Sequence, residues 1–151
     1  NRLMKRISGS IVLVAALMSF QNLPQKTKPS KPGVGTVTKA ASVERGKIIY
    51  LQKCLSCHQV DGGGVPHLNA PLDGASAIVG NDKAKIIRIV LNGMTDRVEI
   101  DGEYYSNNMA PHKDLTNRQI ADVLTYVRNS WTNKASAVTA AEVKAVRAKI
   151  K

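Results

Sequence analysis

The only two cysteines of this 151-residue chain fall within one pentapeptide, Cys54-Leu55-Ser56-Cys57-His58. A disulfide across so short a span closes a tiny loop and stabilises little, and a secreted disulfide scaffold spreads more cysteines along its length. The pair therefore reads as chemical rather than architectural. Two thiols three positions apart can each add across a vinyl group on one edge of a porphyrin, which places the adjoining imidazole over the iron. The pentapeptide thus predicts one covalent haem c, with Cys54 and Cys57 as attachment points and His58 as an axial ligand. Two other readings of the same residues stay open. A Cys-x-x-Cys redox pair wants a strand-then-helix setting, which is missing here. A zinc site needs further ligands, and His67 or His112 are available without finger spacing.

Candidates for the second axial position lie downstream. Met94 follows Asn92-Gly93 and reads as a gap-filler at a helix end. Met109 sits in Asn107-Asn108-Met109-Ala110-Pro111, a polar stretch with no apolar periodicity to explain it as core. Pro111 stiffens that loop, and a neutral thioether favours reduced iron. Met109 is the preferred ligand over Met94, His67 and His112, of which His112 is the nearest rival.

Composition supports a bulky cofactor. One Trp, one Phe and four Tyr make a thin peptide core, which a large flat apolar group would fill. The formal charge of +11 sits in the two ends, whereas residues 54–133 hold a slight acidic excess. The basic ends lack aromatic interleaving and any nucleic-acid motif, so nucleic acid is excluded as partner. An acidic surface on a redox partner protein, or anionic lipid, fits better.

The chain divides into four stretches. Residues 1–23 read as an export signal or N-terminal anchor, with a positive Met4-Lys5-Arg6 and an apolar run from Ile7 to Phe20. The run is shorter than the ~20 residues of a membrane span, yet membrane association through residues 7–23 remains compatible with it. Residues 24–41 are a Pro/Lys-rich linker. Residues 42–133 form the main domain and residues 134–151 a C-terminal helical extension. Within the domain, Ser42 is expected to cap a helix that delivers the chain into Cys54. Asp82 caps a helix over 83–91 that stops at Asn92-Gly93. Val98 to Tyr105 alternates around Asp101-Gly102 and predicts a hairpin. Thr116 with Gln119 makes a capping box that opens a helix through Ile120, Val123, Leu124 and Val127. A last helix follows Thr139 and Glu142, with Val143, Val146 and Ile150 on one face.

Over Ser42 to Trp131 these residues resemble the monohaem class I cytochromes c, most specifically through Cys54-x-x-Cys57-His58 and Met109-x-Pro111. The resemblance implies an all-α fold around one haem, of three to five helices, with a short β-hairpin before the distal loop. It also implies a close helix crossing, with Gly46 and Tyr50 packed against Val123 and Tyr126. The family's Pro-x-Leu-x-Gly element, whose first carbonyl accepts a bond from the proximal histidine, is matched at Leu72 and Gly74 but has Ala70 in place of proline. Ala70, Leu72 and Pro111 are thereby implied as haem-pocket residues. Tyr126-Val127-Arg128-Asn129-Ser130-Trp131 and the trailing Val138 to Val143 resemble cytochrome subunits or domains that accompany bacterial periplasmic dehydrogenases and reductases. The function implied is periplasmic or exported electron transfer, free or membrane-anchored on the periplasmic face, between such an enzyme and the respiratory chain. That makes the chain an electron carrier rather than an enzyme, or the cytochrome subunit of an oxidoreductase complex. The alternative is a haem sensor or peroxidase-like protein with a labile sixth ligand.

Overall fold

The computed structural model describes residues 38–150. The expected export signal and all but the last residues of the expected linker lie outside the described residues.

The first helix, α1 (Lys39–Lys53), opens three residues earlier than Ser42. Thr38 is its cap: the residue is extended and its hydroxyl accepts a hydrogen bond from the Ala41 N–H at 3.3 Å. Lys39, Ala40 and Ala41 are good helix formers, so nothing delays the start once a hydroxyl residue precedes them. Ser42 is instead buried inside the helix, and its hydroxyl donates to Asp122 Oδ1 at 2.5 Å. The helix runs into a single turn, α2 (Leu55–His58), which Gln59 stops with a φ of 63°.

A second single turn, α3 (Ser76–Val79), precedes α4 (Lys83–Asn92). Asp82 caps α4 by accepting from the Lys85 N–H at 3.0 Å, as its position before the apolar run predicts. Strands β1 (Val98–Ile100) and β2 (Glu103–Tyr105) pair antiparallel, with Glu99 opposite Tyr104. Asp101 and Gly102 both have positive φ, the requirement of the tight hairpin turn whose twist suits a two-stranded ribbon. The Asp101 carboxylate accepts from the Ser76 N–H at 2.9 Å and so ties the hairpin to α3.

Helices α5 (Asn117–Val127) and α6 (Ala140–Arg147) each open on a complete capping box, Thr116 with Gln119 and Thr139 with Glu142. Ile120, Ala121, Val123, Leu124 and Val127 of α5 are buried, which makes this helix the centre of the core. Helix α1 crosses one side of α5, while α6 packs on α5 and α4 through the fully buried Val143. Arg128 closes the far end of α5. Its buried guanidinium donates to the carbonyls of Ile78, Gly80 and Ser136, joining α3 to the segment before α6.

Candidate haem site

Helix α1 carries Cys54 at its end and the α2 turn carries Cys57 and His58, so both thiols and the imidazole leave one continuous helical segment. Cys57 is exposed and Cys54 half-buried. His58 Nδ1 lies 2.9 Å from the Ala70 carbonyl oxygen. A carbonyl only accepts, so Nδ1 must carry the proton and Nε2 keeps its lone pair. Nε2 has no hydrogen-bond partner among the described residues. Burial holds the His58 pKa below its ordinary value against the opposing pull of the Ala70 bond, with nearby His112 adding to the depression. The imidazole is therefore neutral and correctly tautomerised to donate Nε2 to a metal. Proline is unnecessary at position 70, because the acceptor is a main-chain oxygen.

These groups face an apolar cavity of about 350 Å³, within the range of small-molecule and cofactor sites. Leu72, Ile78, Ile86, Val90, Val123 and Leu124 supply its walls, with Val98, Ile100 and Tyr105 of the hairpin. Ala70 and Pro71 line it beside His58. Met109 and Met94 also line it, brought together by an isolated antiparallel bridge between their backbones. Pro111 is exposed and is not part of the lining, whereas His112 is. His67 points away: its side chain is 75% exposed and lies 3.6 Å from Glu103.

The donor set discriminates between the readings of the pentapeptide. A reactive dithiol needs a lowered thiol pKa, but burial, assisted by Cys57, pushes Cys54 up to about 11. Among the described residues no cluster of three or more His, Cys, Asp and Glu is placed to hold a metal ion. Two thiols, a neutral imidazole and soft thioethers around an apolar space suit iron in a covalently held porphyrin.

The helix crossing behind this wall is tighter than ordinary packing. A Cβ on Gly46 would collide with the Asp122 carbonyl oxygen and stand 2.7 Å from Tyr126 Cβ. The contact is thus with Asp122 and Tyr126, while Val123 turns toward the cavity. Tyr50 packs on Tyr126 with ring centroids 5.3 Å apart, and on Trp131 at 5.5 Å. The Tyr50 hydroxyl donates to the Gln59 carbonyl at 2.6 Å and Trp131 Nε1 to the Val60 carbonyl at 2.9 Å. This aromatic trio staples the exit of the α2 turn, and so positions His58. Sequence reasoning paired Tyr50 with Tyr126 but left out Trp131 and Asp122. The aromatic character of Trp131 was visible, but its partner segment lies 71 residues away.

Comparison with known proteins agrees with this chemistry. The cytochrome c subunit of the quinone alcohol dehydrogenase of Gluconacetobacter polyoxogenes is 34% identical over 111 residues, 68% of this chain and 22% of that protein. The gluconate 2-dehydrogenase cytochrome c subunit of Pantoea cypripedii is 34% identical over 110 residues, 69% of this chain and 24% of that protein. Cytochrome c-552 of Thermus thermophilus is 33% identical over 112 residues and is matched over 85% of its length. The chain thus spans under a quarter of the length of the two dehydrogenase subunits and most of the small cytochrome. Residues 43–131, more than half of the sequence, match the Cytochrome c family. With the two thiols, the oriented imidazole and the apolar cavity gathered in that same stretch, the chain belongs to the cytochrome c family, the family of covalently bound haem c.

Proposed function

We propose that this protein is a periplasmic one-electron carrier. In this reading its haem is attached through Cys54 and Cys57 and ligated by His58 and Met109, and it passes electrons from a dehydrogenase or reductase toward the respiratory chain. One observation carries the reading: a neutral imidazole with its Nε2 lone pair free and a thioether loop line the same apolar cavity, directly beside two thiols at attachment spacing. The bound haem supplies a single reversible electron. The protein's part is to hold its ligands and exclude water. Ala70 fixes the His58 ring, and Met109 supplies a neutral sulfur. Leu72, Ile86, Val90 and Leu124 keep the surroundings dry, so little rearranges when charge changes. Cys57 is exposed, so a group held through it would be anchored at the surface, where an electron could leave.

The dehydrogenase subunits among the relatives support a donor of that class, and the basic ends support an acidic docking surface. Residues 1–23 are the part that would direct export and, if retained, hold the carrier at the membrane. No helix among the described residues is long and apolar enough to cross a membrane.

Two measurements test the reading. The ferric protein should show the weak far-red band of a sulfur–iron bond, and its absence would exclude Met ligation. The colour should stay with the chain in acidified organic solvent in wild type and be extracted once both Cys54 and Cys57 are changed to Ser. Colour that extracts from wild type would refute attachment through these thiols.

A further inference from the structure

Met94 and Met109 are paired more closely than a gap-filler and a ligand need to be. The Met94 N–H donates to the Met109 carbonyl at 2.9 Å, and the Met109 N–H donates to the Met94 carbonyl at 2.8 Å. Two residues that exchange both bonds stand directly opposite in an antiparallel ladder, with Cα atoms about 5.5 Å apart. Directly opposite residues project to the same face, and both methionines line the cavity. The register is held firmly. Gly93, with φ of 70°, lies so close to the Met109 loop that a Cβ there would collide with the Met109 carbonyl and stand 2.9 Å from Pro111 N. Methionine has three rotatable side-chain bonds, so a sulfur on either strand can reach space the other occupies. Neither residue belongs to the buried core.

We infer that Met94 is a second thioether donor for the axial position assigned to Met109. It takes that position when the Met109 sulfur is lost or displaced, so the iron keeps a neutral soft ligand and the site stays closed. The inference rests on the proposal that Met109 is the resident ligand. Two methionines that line one cavity from one backbone bridge compete for one site. The resident wins because Pro111 stiffens its loop.

The test uses the holoprotein in four forms: wild type, Met94→Leu, Met109→Leu and the double variant. Leucine conserves volume, so the strand pair should survive, and helical circular dichroism checks it. Met109→Ala, measured in parallel, gives a second route to the same answer. The far-red sulfur–iron band should appear in wild type and in each single variant, and vanish only in the double variant. Added imidazole should bind the double variant roughly tenfold more tightly or better than Met109→Leu, because no internal donor then competes. If Met109→Leu and Met109→Ala lose the band while Met94→Leu keeps it, the second-donor role is overturned and Met109 stands as the sole ligand. If Met94→Leu loses the band and Met109→Leu keeps it, or wild type lacks it, the assignment of Met109 itself fails and this inference with it.

Discussion

Gly46 is where one hydrogen atom in place of a methyl group decides the packing of the two longest helices. With the Asp122 carbonyl and Tyr126 Cβ pressed against its α-carbon, no side chain fits without moving α1 off α5. Gly46→Ala should therefore cost about 3 kcal/mol, despite alanine's better helix propensity, measured as a shift in denaturant midpoint. A neutral or stabilising result would mean that the helices can separate freely. Asp122 shows the opposite kind of residue, a buried carboxylate among the core positions of α5. It accepts from Ser42 Oγ and from two guanidinium nitrogens of Arg45, at 2.6 and 2.8 Å. That cage was not legible beforehand, because its donors come from α1, some 80 residues away. Ala70 was legible only in part. Its departure from proline was plain, but its harmlessness follows from the geometry of a backbone oxygen.

At the scale of elements, caps explain most of what the sequence announced. Asp82, Thr116 with Gln119, and Thr139 with Glu142 each satisfy N–H groups that a helix start leaves unpaired, using side chains within three residues. Such local chemistry needs no knowledge of the fold. Glu142 does more than cap, since Lys83 Nζ lies 3.0 Å from its carboxylate. Burial pushes the Glu142 pKa up, but the Thr139 N–H and the Lys83 ammonium outweigh it and hold the group below its ordinary 4.5. A carboxylate lowered on folding contributes stability above its unfolded pKa, and loses it as pH falls through the folded value. Glutamine keeps the capping box and removes only the charge. Glu142→Gln should then cost about 0.5–1 kcal/mol at pH 7, discounted for partial exposure, with the two unfolding curves converging as pH falls through the lowered Glu142 pKa. Curves separated equally at pH 3 and pH 7 would show that the charge is not what matters.

At the scale of the whole molecule, α6 acts from a distance on the segment that follows Met109. Arg147 donates to the Leu115 carbonyl at 2.6 Å, to Asn117 Oδ1 at 2.8 Å and to the Lys113 carbonyl at 3.2 Å. It thereby pins the segment that follows Met109 and Pro111. Arg147→Ala should loosen that loop and raise the affinity of the ferric protein for added imidazole roughly three- to tenfold, while the helix content is kept. Unchanged affinity would confine Arg147 to stability alone. Charge distribution is the other whole-molecule property. With its net positive charge at the ends, the protein should associate with a redox partner of acidic surface more slowly as ionic strength rises, and stopped-flow rates against salt measure it. A rate flat from low to physiological salt would remove electrostatic steering.

By itself the sequence determined the spacing of the thiols and imidazole, the capped helices and the hairpin, because each is written in side chains a few residues apart. Cys54 to His58 needs only helical spacing to bring two thiols and an imidazole together, and Asp101-Gly102 needs only two positive φ angles. Tertiary structure alone decided where the Ser42 hydroxyl goes, since Asp122 claims it from another helix. It also set Met94 against Met109, because a strand pair between residues fifteen apart depends on Gly93 letting the backbones touch. Chemistry that acts along the chain can be read from order and spacing. Chemistry that acts across it depends on which surfaces the core brings into contact.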